Sequence, residues 1–306
     1  MATFTFNHPE LLEADQKLIF FKEFMMQELM YPALFNELNS VKGYEDGMRV
    51  AGLGTFHTKP EGTPFGFDDP VSGTKVRNVH TVFGLGYRVT MEMADDDQHD
   101  IIDQMPADLG DAARDHMERL AWSLVNDAFT GTTYTGLTDG GAAGALCSST
   151  HTNLKTGTTQ SNILSPAVSL STTGLESMMT LASLTTSDED RYIDMSQSKL
   201  VYHPNNQHKA HVLLNTEYAP GGSDNDRSTV VTSQSGITPC RRQGIPYLTS
   251  TTNWYIAGDS DLRWYTRKPL TFERAKDSDT LDQKFYAYYR ALVCFFEWRG
   301  FWGSQA

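Results

Sequence analysis

The stretch Tyr87–Gly131, YRVTMEMADDDQHDIIDQMPADLGDAARDHMERLAWSLVNDAFTG, decides the architecture. Tyr87, Val89, Met91 and Met93 alternate with Arg88, Thr90 and Glu92, the period-two pattern of a half-buried strand. Asp95, Asp96, Asp97 and Asp100 then crowd the approach to a helix, where carboxylates satisfy free amides and favour the positive end of the dipole. The sharper alternative makes these acids, with His99, a metal site. Pro106 suits a first turn, so the spacing predicts a helix over 106–130 that stops before Gly131. Leu109, Ala113, Met117, Leu120, Leu124 and Ala128 form its apolar stripe, and Asp111, Arg114, Asp115, Glu118 and Arg119 mostly its wet face. At about 1.5 Å per residue this is a rod of about 36 Å, long enough to cross a subunit.

Downstream, Thr138–Asn153 reads TDGGAAGALCSSTHTN, rich in turns. Ser148 or Ser149 with His151 and Asp139 would supply a nucleophile, a base and an orienting carboxylate. The flanking glycines of a GxSxG elbow are absent, so hydrogen bonding within an ordered loop accounts better for these residues. No GxGxxG joins a strand to a helix and no GxxxxGK[ST] occurs, so nucleotide binding has no sequence support.

On the N-terminal side, Asp15–Leu29 has helical spacing. Residues 42–86 then alternate glycines with Pro60, Pro64 and Pro70 and show no long apolar face. A compact domain rarely carries about 40 structureless residues, so this segment is expected to be an extended hairpin leaving the body. Its strands are predicted near Arg49–His57 and Val76–Phe83. On the C-terminal side, helices are predicted over Leu175–Leu184 and Asn205–Leu214, a buried strand over Lys199–Tyr202 and a loop over Tyr218–Gly236. Short strands follow at Ile245–Leu248, Asn253–Ala257 and Leu262–Tyr265, then a long aromatic strand over Lys284–Trp298, about 50 Å at the usual rise.

Composition bounds the function. The chain has 306 residues, 39% of them hydrophobic and 11% aromatic, enough for a packed core in one large domain or two. A formal net charge of -13 argues against a surface built to wrap phosphate, although an acidic wall can still enclose nucleic acid without gripping it. No apolar run approaches the roughly 20 residues that span a bilayer, and the N-terminus lacks a basic region and cleavage site, so no membrane is expected. Cys147, Cys240 and Cys294 are widely spaced with no CxxC, which favours reduced thiols over a disulfide framework or zinc. His208 and His211 share a helical face near His203, a zinc option without an HExxH arrangement; solvent-facing histidines are the better reading. Trp298, Phe301 and Trp302 beside Arg299 suit base stacking, but at a strand end packing between subunits accounts for them better.

Taken in order, these elements resemble a tailed-bacteriophage major capsid protein of the Hong Kong 97 type, an α+β fold. At residue level, Tyr87–Gly131 and Thr138–Asn153 are similar to the Mu-like branch of head proteins. Cys147 stands where that branch more usually has an aromatic, and no proline follows His151. The resemblance implies an N-terminal arm at 1–45, a protruding hairpin called the E-loop at 46–86, and a peripheral domain at 87–162 and 261–306 with spine helix 106–130. An axial domain would occupy 163–260.

The function it implies is self-assembly into hexamers and pentamers of an icosahedral head around double-stranded DNA, without sequence-specific binding, assembled in a bacterial cytoplasm and resident in the virion. A portal and decoration proteins are further implied partners. The chain opens on a short arm rather than a long charged helical region, so a separate scaffold protein is expected and no maturation cleavage of the N-terminus. No enzyme activity, cofactor or metal is expected. Phe56, Phe65, Phe67 and Val71 near the hairpin tip, with Trp298, Phe301 and Trp302, are the expected inter-subunit contacts. An encapsulin-like compartment sharing the fold is the alternative, and a serine hydrolase the remote one.

Overall fold

The computed structural model describes residues 9–90, 92–93, 101–134, 136–139, 142–193, 198–218, 228–277 and 282–306. Helix α1 (Pro9–Phe24) leads through a 3-10 turn at Tyr31–Ala33 and strand β1 (Asn36–Asn39) into a hairpin of β2 (Tyr44–Ala51) and β3 (Val71–Val79). His80 alone separates β3 from β4 (Thr81–Val89), and the long helix α2 spans Ile101–Asn126. Short strands β5 (Gly136–Asp139), β6 (Ala142–Gly144), β7 (His151–Thr152) and β8 (Thr159–Gln160) precede α3 (Thr172–Ser183). Then come β9 (Ser198–Tyr202), α4 (Gln207–Asn215), α5 (Thr232–Ser235), β10 (Ile237–Pro239), β11 (Trp254–Ala257), β12 (Leu262–Lys276), β13 (Gln283–Phe295) and β14 (Phe301–Ser304).

Two four-stranded sheets organise these elements. The long sheet has the order β1-β12-β13-β4, with β12, β13 and β4 antiparallel and β1 joining in parallel. The second runs β10-β9-β11-β14, so the last strand closes back beside β11. The main core lies where α2 meets both sheets, with Trp122, Val125, Trp264, Tyr289 and Phe295 buried together. A second core, built on Leu175, Met178, Leu200, Trp254 and Trp302, joins α3 to the second sheet. A third, around Phe20, Leu109, Phe272 and Phe285, seats α1 against the start of α2 and the long sheet.

Several sequence expectations are corrected. Helix α2 includes Ile101–Met105, so Pro106 sits inside it rather than in its first turn. The ring removes a single donor, that to the Ile102 carbonyl, while α1 packed along this half supplies the tertiary support that a lone helix lacks. Glu118, placed on the wet face, is 1% exposed: it accepts the Met30 amide and, at 2.8 Å, the Trp122 indole N–H. Burial pushes its carboxyl above the usual range. The first hairpin strand lies nearer the base than predicted, because the glycine- and proline-rich 52–70 stretch lacks the ladder partners of a regular strand, while the second starts nearer the tip, at Val71, and Thr81–Phe83 belong to β4.

Strand β12 runs to Lys276, not Tyr265; a bulge about Lys268 and Pro269 hides its alternation. Helix α1 ends at Phe24, short of Leu29. Ile245–Leu248 is a turn whose two ends are buried in the main core. Asp95, Asp96, Asp97, His99 and Asp100 lie outside the described residues, as do 219–227 of the predicted loop.

Candidate inter-subunit surface

The hairpin begins where β2 and β3 pair, Tyr44 opposite Val79 and Ala51 opposite Val71. Its inner face rests on a small core of Tyr265, Cys294 and Phe296 with Val76. The close approach is made at Gly47, where an added Cβ would overlap the Phe296 ring. On the outside, Asp46 pairs with Arg77 at 2.8 Å and Lys75 at 2.6 Å, and Arg77 in turn lies 3.8 Å over the Tyr44 ring. Arg77 above all, then Lys75, holds the Asp46 carboxyl down to about 2.

The base is fixed by a buried charge cluster. Asp188 accepts from Arg49 and, at 3.1 Å, from Arg299; Glu297 lies 3.5 Å from Arg49 and 3.0 Å from Arg299. Two guanidiniums and two carboxylates make the cluster neutral, the condition under which burying such charges is tolerable. Arg299 is further held by Thr186 O at 2.7 Å and Asn153 Oδ1 at 2.8 Å, and Asp188 takes the Leu154 amide at 3.0 Å. Three distant segments of chain thereby meet at the hairpin.

Above this cluster a second set of contacts grips the neck of the tip. Lys155 Nζ bonds the Gly52 carbonyl at 2.9 Å and pairs with Asp68, whose other donor is the Gly54 amide at 2.6 Å. Its bond to Lys155, reinforced by that amide, lowers the Asp68 carboxyl. Glu189 accepts the Gly52 amide, and Arg191 donates to the carbonyls of Leu53 and, at 3.1 Å, Gly54. Asp188, Glu189 and Arg191 reach the hairpin together because the chain turns tightly at 187–191, with Asp190 at a φ of 59°.

Beyond the neck, Phe56, Phe65 and Phe67 project with little cover, Phe67 at 96% exposure, and Lys59 sits 4.4 Å over Phe65. Val71, at the end of β3, is 40% exposed. All four are exposed on the hairpin. Trp298, Phe301 and Trp302 do not join it: they are 0%, 1% and 1% exposed, so their expected role between subunits is corrected to core packing. Trp298 stacks on His151 with ring centres 4.2 Å apart, Phe301 lies 5.3 Å from the Tyr255 ring, and the Trp302 N–H donates to Thr185 at 3.0 Å. The reason is the second sheet, which draws β14 inside beside β11 instead of leaving a free strand end.

The other candidate groups are absorbed by structure. His151 is fully buried with Nε2 3.0 Å from Asn162 Oδ1, the same oxygen that takes the Ser148 amide at 2.8 Å. Ser148 Oγ faces Thr150 at 3.4 Å, and the Asp139 side chain lies outside the described residues. His203 accepts the Asn205 amide at 3.2 Å as a helix cap, while His208 and His211 are exposed on α4. Among the described residues no group of three His, Cys, Asp or Glu side chains is arranged for a metal. The three cysteines are unpaired, and burial pushes the Cys240 thiol up to about 11 and that of Cys294 to about 12. Sequence reasoning missed the Arg49, Asp188, Glu297 and Arg299 cluster. Its one local signal is a charged Arg299 inside the aromatic run Phe295–Trp302.

A long sheet strapped to one long helix, a second sheet closed by the C-terminal strand, and a protruding hairpin with unpartnered aromatics together define the Hong Kong 97-type fold of shell subunits. The chain belongs to the phage capsid protein family, whose model matches residues 74–303. Its fold is similar to the capsid of the cyanophage P-SCSP1u, with TM-score 0.59 and 10% identity over 90% of this chain and 88% of that one. It is also similar to the procapsid of bacteriophage JBD30, at TM-score 0.51 and 12% identity over 98% and 75%. A virus-like particle from Pyrococcus furiosus matches at TM-score 0.50 and 8% identity over 95% and 98%. No curated protein matches the sequence.

Proposed function

We infer that this chain is a major capsid protein whose copies tile the hexamers and pentamers of an icosahedral bacteriophage head. The observation that carries this reading is the hairpin. Its base is immobilised by a buried neutral charge cluster, yet its tip displays three phenylalanines that the described residues of its own subunit leave largely exposed. Exposed aromatics on a rigid mount are costly in a free subunit and profitable only when a neighbour buries them.

Membership of the phage capsid family supports a place in the virion, around double-stranded DNA. The net charge of -13 fits a wall that contains this polymer without binding its sequence. A separate scaffold, a portal and decoration proteins complete the proposed partners, with assembly in the bacterial cytoplasm. The division into arm, E-loop, peripheral and axial regions, and the Mu-like affinity, rest on the sequence resemblance.

Replacing residues 56–67 with a short Gly-Ser turn is expected to leave a folded subunit, since Gly52, Gly54 and Asp68 keep their neck contacts. Electron microscopy should then show free subunits or open fragments in place of closed shells. Normal shells from this variant would refute the hairpin's role. The encapsulin-like alternative differs in cargo, and long DNA rather than an enzyme is expected to co-purify with the particles.

A further inference from the structure

We propose that the recess between α4 and β10 is a binding site for a small organic phosphate of the nucleoside monophosphate type. All its walls come from one chain, so the assignment does not depend on the shell reading above.

The recess has a volume of 470 Å³, within the about 300–1,000 Å³ usual for small-molecule sites. Its apolar lining is Ala210 and Leu214, one turn apart on α4, with Pro239 of β10. Its polar lining divides into groups that brace the frame and groups left over. Asn215 Nδ2 donates to the His211 carbonyl at 2.9 Å and Thr232 Oγ1 to the Leu214 carbonyl at 3.2 Å, which offsets the negative end of the α4 dipole. The buried Tyr202 hydroxyl reaches the carbonyls of Arg241 at 3.1 Å and Arg242 at 3.0 Å. The Gly244 amide closes the same turn on the Arg241 carbonyl at 3.0 Å, so Arg242 projects from a fixed backbone.

The groups left over are the side chains of His211, Thr238 and Arg242. Among the described residues none of the three has a hydrogen-bond or ion-pair partner. In a chain of net charge -13 the recess is lined by no carboxylate, so its unpaired guanidinium selects an anion. The fork of an arginine offers paired donors to phosphate oxygens, and the imidazole and hydroxyl can serve the others. A tetrahedral phosphate uses three such groups more fully than a carboxylate with two oxygens. Ala210, Leu214 and Pro239 beside them call for an apolar body on the anion, which a nucleoside supplies and inorganic phosphate does not.

Isothermal titration calorimetry of the whole chain with adenosine monophosphate tests the site. One molecule is expected to bind per chain. Adenosine, which lacks the phosphate, and inorganic phosphate, which lacks the ring, should each bind at least about tenfold more weakly. Arg242→Ala is expected to cut the affinity about tenfold and Thr238→Val, a change of one hydroxyl, about threefold. Both positions are exposed, so the melting curves should not move. Equal binding of adenosine and its monophosphate, full affinity in Arg242→Ala and Thr238→Val, or no saturable binding of the nucleotide would overturn the proposal. So would a short DNA duplex that binds through Arg242 while the nucleotide does not, because the phosphate would then belong to a polymer.

Discussion

Asp188 is the residue on which the hairpin's position turns, because two guanidiniums converge on one of its oxygens. Asp188→Ala would leave Arg49 and Arg299, whose side chains are only 5% and 7% exposed, sharing Glu297, so the buried cluster would carry a net positive charge. The expected loss is about 3–5 kcal/mol, read as a lowered urea midpoint of the subunit. His80, at the junction of β3 and β4, gives a pH dependence of known sign. Burial holds it below its ordinary 6.5, against Glu45 at 3.5 Å and with Arg290 and Arg267 opposing protonation. Between 6.5 and the folded value the unfolded chain binds more protons, so the stability is fully present above 6.5 and falls as the pH drops through that window. Melting curves at pH 7.5 and 5.5 should separate, and less so in His80→Asn. None of this was legible in the sequence, since Arg49 and Asp188 are 139 residues apart and nothing local marks them as partners. His151 was legible in part: the absent GxSxG elbow favoured hydrogen bonding over chemistry, and its Nε2 does lie 3.0 Å from Asn162 Oδ1, while its burial against Trp298 is set by the fold.

At the scale of elements, α2 was readable because its apolar spacing survives burial, but its start and its second buried side were not. Pro106 obeys tertiary support rather than helix propensity, and Glu118 and Trp122 form a polar fastening that an amphipathic reading assigns to solvent. Gly110 makes the point testable. Alanine there would gain about 1 kcal/mol of helix propensity. Yet the new Cβ would lie 2.7 Å from the Phe20 carbonyl oxygen, on backbone that cannot yield. Gly110→Ala is therefore expected to lower the melting temperature by prising α1 from α2, with protease sensitivity appearing first in residues 9–24. Glu118→Ala should act on the same junction by orphaning the Met30 amide and the Trp122 N–H, at about 2–4 kcal/mol, measured by chemical denaturation. Strand β12 escaped the sequence because its bulge breaks the alternation on which strand recognition depends.

Across the whole molecule, the order of elements in sequence was enough to suggest the fold, and the long sheet, the long helix and the hairpin are all present. What composition could not supply was which aromatics face inward. Phe67 and Trp302 are equally apolar in a sequence, and only the pairing of β14 with β11 separates a core residue from a contact. The neck contacts made by Lys155 and Arg191 are ion pairs and charged hydrogen bonds near the surface, which salt screens. Raising the ionic strength to about 1 M should loosen the tip and speed amide exchange at 52–54, with little change in the cores.

The cluster that mounts the hairpin also imposes an order of events during synthesis. Asp188 must wait for a partner 111 residues further along, so the mount remains incomplete until Arg299 has been made. A nascent subunit thus emerges with its aromatic hook unset. A chain stopped before Arg299 therefore carries its hairpin on an incomplete mount.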